Sequence, residues 1–154
     1  MGFKYKLQRI LDHRIDILDD EKKELARRNK LLQEAIARLE ELKQMIITLQ
    51  GELRQMSIGQ IGQKALAQME LYRSHIKDIR ERQIPQQQIV IQQRQLEVEE
   101  QQEVVRVAHM EVKKFEKLKE RQAEEYKAEE KAKETKETDQ IAGIKAARKI
   151  IMKE

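Results

Sequence analysis

From Leu11 onward a large aliphatic residue stands at every seventh position, Leu11, Leu18, Leu25, Leu32, Leu39, Ile46 and Leu53, without a miss. A repeat of seven sustained this long keeps one stripe of a helix apolar; a strand, whose side chains alternate with period two, has no use for it. It predicts one long helix over about residues 3–56, with these residues as the a positions of a coiled-coil seam. The matching d positions are Leu7, Arg14, Glu21, Arg28, Ala35, Leu42, Leu49 and Met56. The seam is therefore half polar through Arg28 and apolar from Ala35, and its far half is expected to pack better. Ile10, Ile15 and Ile17 flank it, and read either as a broad apolar stripe or as a second contact face.

The heptad pattern stops in SIGQIGQ, residues 57–63, where Gly59 and Gly62 end one helix and let the chain reverse. Gly59 to Lys64 lacks both the spacing and the preceding strand of a phosphate-binding loop, so no nucleotide site is expected there. A second helix over about 64–137 then carries Met69, Tyr72, Ile76 and Ile79, followed by Ile84, Ile91, Val98, Val105 and Val112 at strict sevens. The step from Ile76 to Ile84 is eight residues, one too many for the repeat, and it coincides with Pro85, so a kink is expected near Pro85. Nine glutamines crowd residues 83–102 and read as a solvated helix face. The d positions Gln87, Arg94 and Gln101 are polar before Ala108 and Phe115 take over, which predicts loose pairing there, with register set at a cost in stability.

If the chain reverses near residue 60, facing residues sum to about 120, which sets Leu53 opposite 67, Leu32 opposite 88, and Phe3 and Tyr5 near Phe115. The first helix, roughly 80 Å long at 1.5 Å per residue, is then used up, and residues from about 118 have no partner. The alternating charges of 116–139 hold a helix through i,i+4 pairs. After Thr138 and Asp139, a plausible helix start, an amphipathic segment over about 139–152 sets Ile141, Ile144, Ala147 and Ile151 on one side among Lys145, Arg148 and Lys149. It is the expected docking element, and membrane-surface binding is the competing reading.

Composition closes off other classes. Charged residues make up 39% of the 154, apolar residues another 39% and aromatics 3%, so the bulky side chains of β-sandwiches and Rossmann-like sheets are missing. The expected fold class is all-α, a two-helix antiparallel coiled-coil hairpin with an overhanging C-terminal helix. There is no Cys, and His13, His75 and His109 are too few for a zinc site, so no metal and no cofactor are expected. No apolar run approaches a membrane span, and the N-terminus offers no signal-peptide core, which points to a cytoplasmic protein. The net charge of +4 comes from interleaved signs, with the excess at the two ends, so acidic protein partners are expected and specific nucleic-acid binding is not. Without a cleft to shift a carboxylate's pKa, catalysis is not expected either.

The opening FKYKLQRILDHR, Tyr72 and Ile76 soon after the reversal, LKERQ at 118–122 and TDQIAGIKAARK at 138–149 together resemble the FliJ family of flagellar export proteins. That resemblance covers essentially the whole chain. It implies a cytoplasmic component of the flagellar type III export apparatus, shaped like the central stalk of a rotary ATPase and peripheral to the inner membrane through its partners. It further implies binding to the export ATPase FliI, contact with the export gate FlhA, and escort of export chaperones. Carried over position by position, the ATPase-facing residues are Phe3, Leu7, Leu11, Ile141, Ala142, Ala147 and Arg148, and the gate-facing residues are Tyr72 and Ile76. Pro85 and the glutamine tract depart from the family pattern. The alternatives are the equivalent stalk of a virulence secretion system and a generic coiled-coil tether.

Overall fold

The structure, a computed structural model, describes residues 2–59 and 61–153. Gln60, part of the expected reversal, lies outside the described residues. The chain forms α1 (Gln8–Met56), α2 (Gln63–Asp78), a π-helical turn (Ile79–Gln83) and α3 (Ile84–Lys153). No strand occurs among the described residues, and the fold is all-α. The elements fall into two compact units, one of Met1–Leu18 with Ala108–Glu154, the other of Asp19–Val107.

In the second unit α1 ends where the glycines stand. Ser57 turns its N–H back to Leu53 and Arg54 and donates its hydroxyl to the Arg54 carbonyl at 2.7 Å. Gly59 then adopts φ 97°, a left-handed conformation that glycine enters without a Cβ clash. α2 starts from Gly62, whose carbonyl accepts from the Leu66 N–H. Near this end a core forms from Leu42, Ile46, Ile76 and Ile79, with Met45, Leu49, Leu53 and Ile84 against it.

Further from the reversal, polar side chains cross between the helices. Gln87 donates to the Ala35 carbonyl at 2.9 Å, Arg28 to that of Glu97 at 2.8 Å, and Gln101 to that of Glu21 at 3.0 Å. Partner numbers fall as residue numbers rise, so α1 and α3 run in opposite senses through this unit. Every a and d position expected on α1 is buried or half-buried, and so are those expected on α3 from Ile84 to Phe115. The polar positions are tighter than their chemistry suggested. Gln101 is 3% exposed, and each side chain reaches a carbonyl that already accepts its helical bond and has a lone pair to spare.

The eight-residue step resolves into the π-helical turn. One extra residue in a helix is accommodated by widening a single turn, which keeps Ile76 before it, Ile79 at its start and Ile84 after it on the core side. Pro85 follows at once, where its missing N–H would leave the Glu81 carbonyl without an α-helical donor. Asp78 brackets the turn, accepting from Arg82 at 2.6 Å and 2.8 Å and from Gln83 at 2.8 Å. These bonds hold the Asp78 carboxyl down at about 2, Arg82 contributing most.

In the first unit the chain enters without a helix. α1 begins at Gln8, not near residue 3, because residues 3–5 lie as non-helical chain. Non-helical chain covers more distance per residue than helix, so Phe3 reaches Tyr126, ring centroids 5.7 Å apart and tilted by 45°. Of the two aromatic residues expected near Phe115, Tyr5 reaches it through a hydrogen bond from its hydroxyl to the Phe115 carbonyl at 3.1 Å. Tyr5, Leu11, Leu18 and Val112 are buried. The covered length of α3 thus extends to Tyr126, beyond the limit near 118 that a helical N-terminus implies.

No new helix starts at Thr138. α3 runs through it unbroken, and the hydroxyls of Thr135 and Thr138 donate to the carbonyls of Lys131 and Glu134 on the preceding turn. From 127 to 152 every residue is exposed.

Candidate functional site

Among the described residues no group of His, Cys, Asp or Glu is placed to hold a metal ion, and no helix is long and apolar enough to cross a membrane. The concave surfaces are shallow grooves beside or between helices. What the molecule offers is side chains presented along helix faces.

The residues expected to face an ATPase divide by environment, all within the first unit. Leu11 is 3% exposed and belongs to the packing of α1, so its side chain has no surface to offer. Phe3 and Leu7 are half-buried, Phe3 through its ring contact with Tyr126. Ile141, Ala142, Ala147 and Arg148 are exposed on the last turns of α3, together with Ile144, Ile150 and Ile151. Lys145, Arg148 and Lys149 stand among them, and residues 141–152 contain no acid. Such a segment gains little from propensity alone, and covering its aliphatic groups would bring burial energy on the order of 25 cal/mol per Å².

The expected gate-facing pair also divides. Ile76 lies in the core with Leu42, Ile46 and Ile79, where it packs the hairpin and presents nothing outward. Tyr72, one turn earlier, is half-buried, and its hydroxyl bonds Glu52, whose carboxylate raises the phenol pKa. Its chain neighbour Leu71 is 70% exposed, and on α1 Ile47 is also open to solvent. Heptad reading passed over both, since each stands off the seam; an aliphatic residue at a position the repeat assigns to solvent is the signal that would have found them.

The same signal appears on α3. Taking Ile84, Ile91 and Val98 as a positions, Ile89 and Leu96 occupy f, the position that points away from the seam, and both are more than half exposed. The stretch read as a solvated glutamine face therefore carries outward aliphatic groups.

Ion pairs along both helices are local and lie at or near the surface. Glu24 accepts from Arg27 at 2.6 Å and 2.9 Å and from Arg28 at 3.0 Å, which lowers its pKa to about 2. Glu103 is likewise lowered by Arg106. Such pairs support helix and add little else.

Helices running in opposite senses in the second unit and an exposed, basic helix end in the first define an all-α protein built from long helices. A family described as Flagellar FliJ protein matches residues 3–150 of the 154, nearly the whole chain. The chain belongs to the FliJ family, components of the flagellar type III export apparatus. Compared with curated proteins and with solved structures, it finds no match.

Proposed function

We propose that this protein is a non-catalytic, stalk-like subunit of the export apparatus, an antiparallel coiled coil whose terminal unit docks in the ring of the export ATPase FliI and promotes its assembly and turnover. The observation that carries this reading is the end of α3, where aliphatic and basic side chains stand exposed on a formed helix that no described residue covers. A preformed helix avoids part of the ordering cost of binding. Its basic face suits an acidic pore lining. A single end in a ring meets the subunits unequally and so shifts them among nucleotide states according to the contacts each state offers.

In the same reading the second unit faces the export gate FlhA. Tyr72 supplies the contact, exposed Leu71 widens it, and Ile76 fixes the backbone beneath from the core side. Escort of export chaperones is a further role of such a surface. The protein works in the cytoplasm and reaches the inner membrane through these partners. The family match favours the flagellar system over a virulence stalk or a generic tether.

Co-sedimentation with purified FliI tests the docking. The full chain is expected to travel with the ATPase, and Ile144→Asp with Ile151→Asp to abolish this while leaving the helical signal unchanged. Unaltered binding by the double variant would remove the terminal helix from the interface.

A further inference from the structure

Two exposed stripes on α3 carry the same spacing with opposite charge. In the second unit Leu96, Glu100, Glu103 and Val107 stand at i, i+4, i+7 and i+11, all exposed. In the first unit Ile141, Lys145, Arg148 and Met152 stand at the same intervals, again all exposed. Residues so spaced lie along one face of a helix. One stripe reads apolar, acid, acid, apolar, with Arg106 at its flank paired to Glu103; the other reads apolar, base, base, apolar. Ile89, one heptad before Leu96, extends the first stripe, and Ile144 widens the second.

We propose that the Leu96–Val107 face of one copy binds the Ile141–Met152 face of a second copy. Aligned side by side, the aliphatic residues at the two ends meet while Glu100 and Glu103 face Lys145 and Arg148. The pattern is symmetric, so it holds for either helix direction, and the antiparallel one also sets the two helix dipoles in opposition. Each stripe repels itself, since pairing like with like puts carboxylates against carboxylates or bases against bases. Each stripe thus complements the other and not its own kind, which makes a second copy of this chain the occupant. The contact covers the segment that docking to an ATPase requires, and self-association therefore stores that segment until the ring competes for it. The pairing itself does not depend on the ATPase reading.

The absence of Cys makes the test direct. Single variants Leu96→Cys, Ile141→Cys and Met152→Cys are prepared in the full chain, mixed in pairs and treated with a short bismaleimide. Leu96→Cys is expected to cross-link with Met152→Cys, or with Ile141→Cys if the helices are parallel, in preference to itself. Glu100→Lys with Glu103→Lys in the first partner is expected to abolish the product, and Lys145→Glu with Arg148→Glu in the second to restore it. Sedimentation of the wild-type chain as a monomer at every concentration, or a product formed only between identical variants, overturns the proposal. The assay contains no ATPase, so its failure leaves the FliI reading standing, and failure to bind FliI leaves this one.

Discussion

The amide nitrogen of Gln101 lies 3.0 Å from the backbone carbonyl of Glu21, eighty residues earlier, with the glutamine side chain 3% exposed. A seam position that the repeat reserves for an apolar residue is thus filled by a polar side chain that donates across to the backbone carbonyl and the carboxylate of Glu21 on the facing helix. Gln101→Ala removes the bond and leaves a gap, and is expected to destabilise the hairpin by about 1–3 kcal/mol. Gln101→Leu removes the bond but fills the space, so its loss should be smaller. Urea midpoints of the two variants check the order, and equal losses would show that the bond itself contributes little.

The π-helical turn at Ile79–Gln83 holds one residue more than the heptad repeat requires. Deleting Arg80, an exposed residue of that turn, is expected to convert it to ordinary α-helix, with Ile76, Ile79 and Ile84 still on the core face and the thermal midpoint shifted by only a few degrees. Deleting Gln95 further along α3 rotates every later seam residue off the core, and should lower the midpoint far more. Differential scanning calorimetry on both deletions separates an accommodating turn from an intolerant one.

The N-terminal clasp makes two contacts of different kinds. Tyr5→Phe keeps the ring and loses only the bond to the Phe115 carbonyl, for which about 1 kcal/mol is expected. Phe3→Ala removes the contact with Tyr126 and should leave the global unfolding midpoint nearly unchanged while exposing residues before Gln8 to protease. Mass spectrometry of limited digests reads the cleavage sites, and an unchanged cleavage pattern would contradict the clasp.

Acid should weaken the turn in a defined window. The Asp78 carboxyl is held at about 2 in the folded chain, below its ordinary value near 4, so its contribution is complete above pH 4 and is lost as pH falls toward 2. Glu24, also lowered to about 2, titrates in the same window. Both carboxylates are partly open to solvent, and the effect is correspondingly small. Asp78→Asn is expected to flatten the slope of the thermal midpoint against pH between 4 and 2, and an unchanged slope would place the acid sensitivity elsewhere.

Much of this was legible in the sequence because a heptad seam is governed by one repeating rule. The seven aliphatic residues from Leu11 to Leu53 define the seam, and all are buried or half-buried; the glycines mark the reversal, and the eight-residue step marks the disturbance. How that step is absorbed was not legible, since an inserted residue can be taken up by a kink, a skip or a widened turn, and the choice depends on keeping Ile79 and Ile84 in the core. Thr138 and Asp139 looked like a helix start because capping residues are also tolerated within helices when the hydroxyl bonds the preceding turn. Ile76 was read as a contact residue, yet it stands on the seam, and a seam residue is consumed by packing. The exposed aliphatic residues Leu71, Ile89 and Leu96 stand outside the heptad repeat, which specifies the seam and says nothing of the outer face.

In the proposed function the exposed end of α3 acts on the export ATPase. ATP turnover by purified FliI, titrated with the full chain and with a chain ending at residue 137, measures this directly. The full chain is predicted to stimulate turnover and the shortened chain, folded and helical through the rest of its length, to lose the stimulation. Equal stimulation by both, or none by the full chain, would contradict the account.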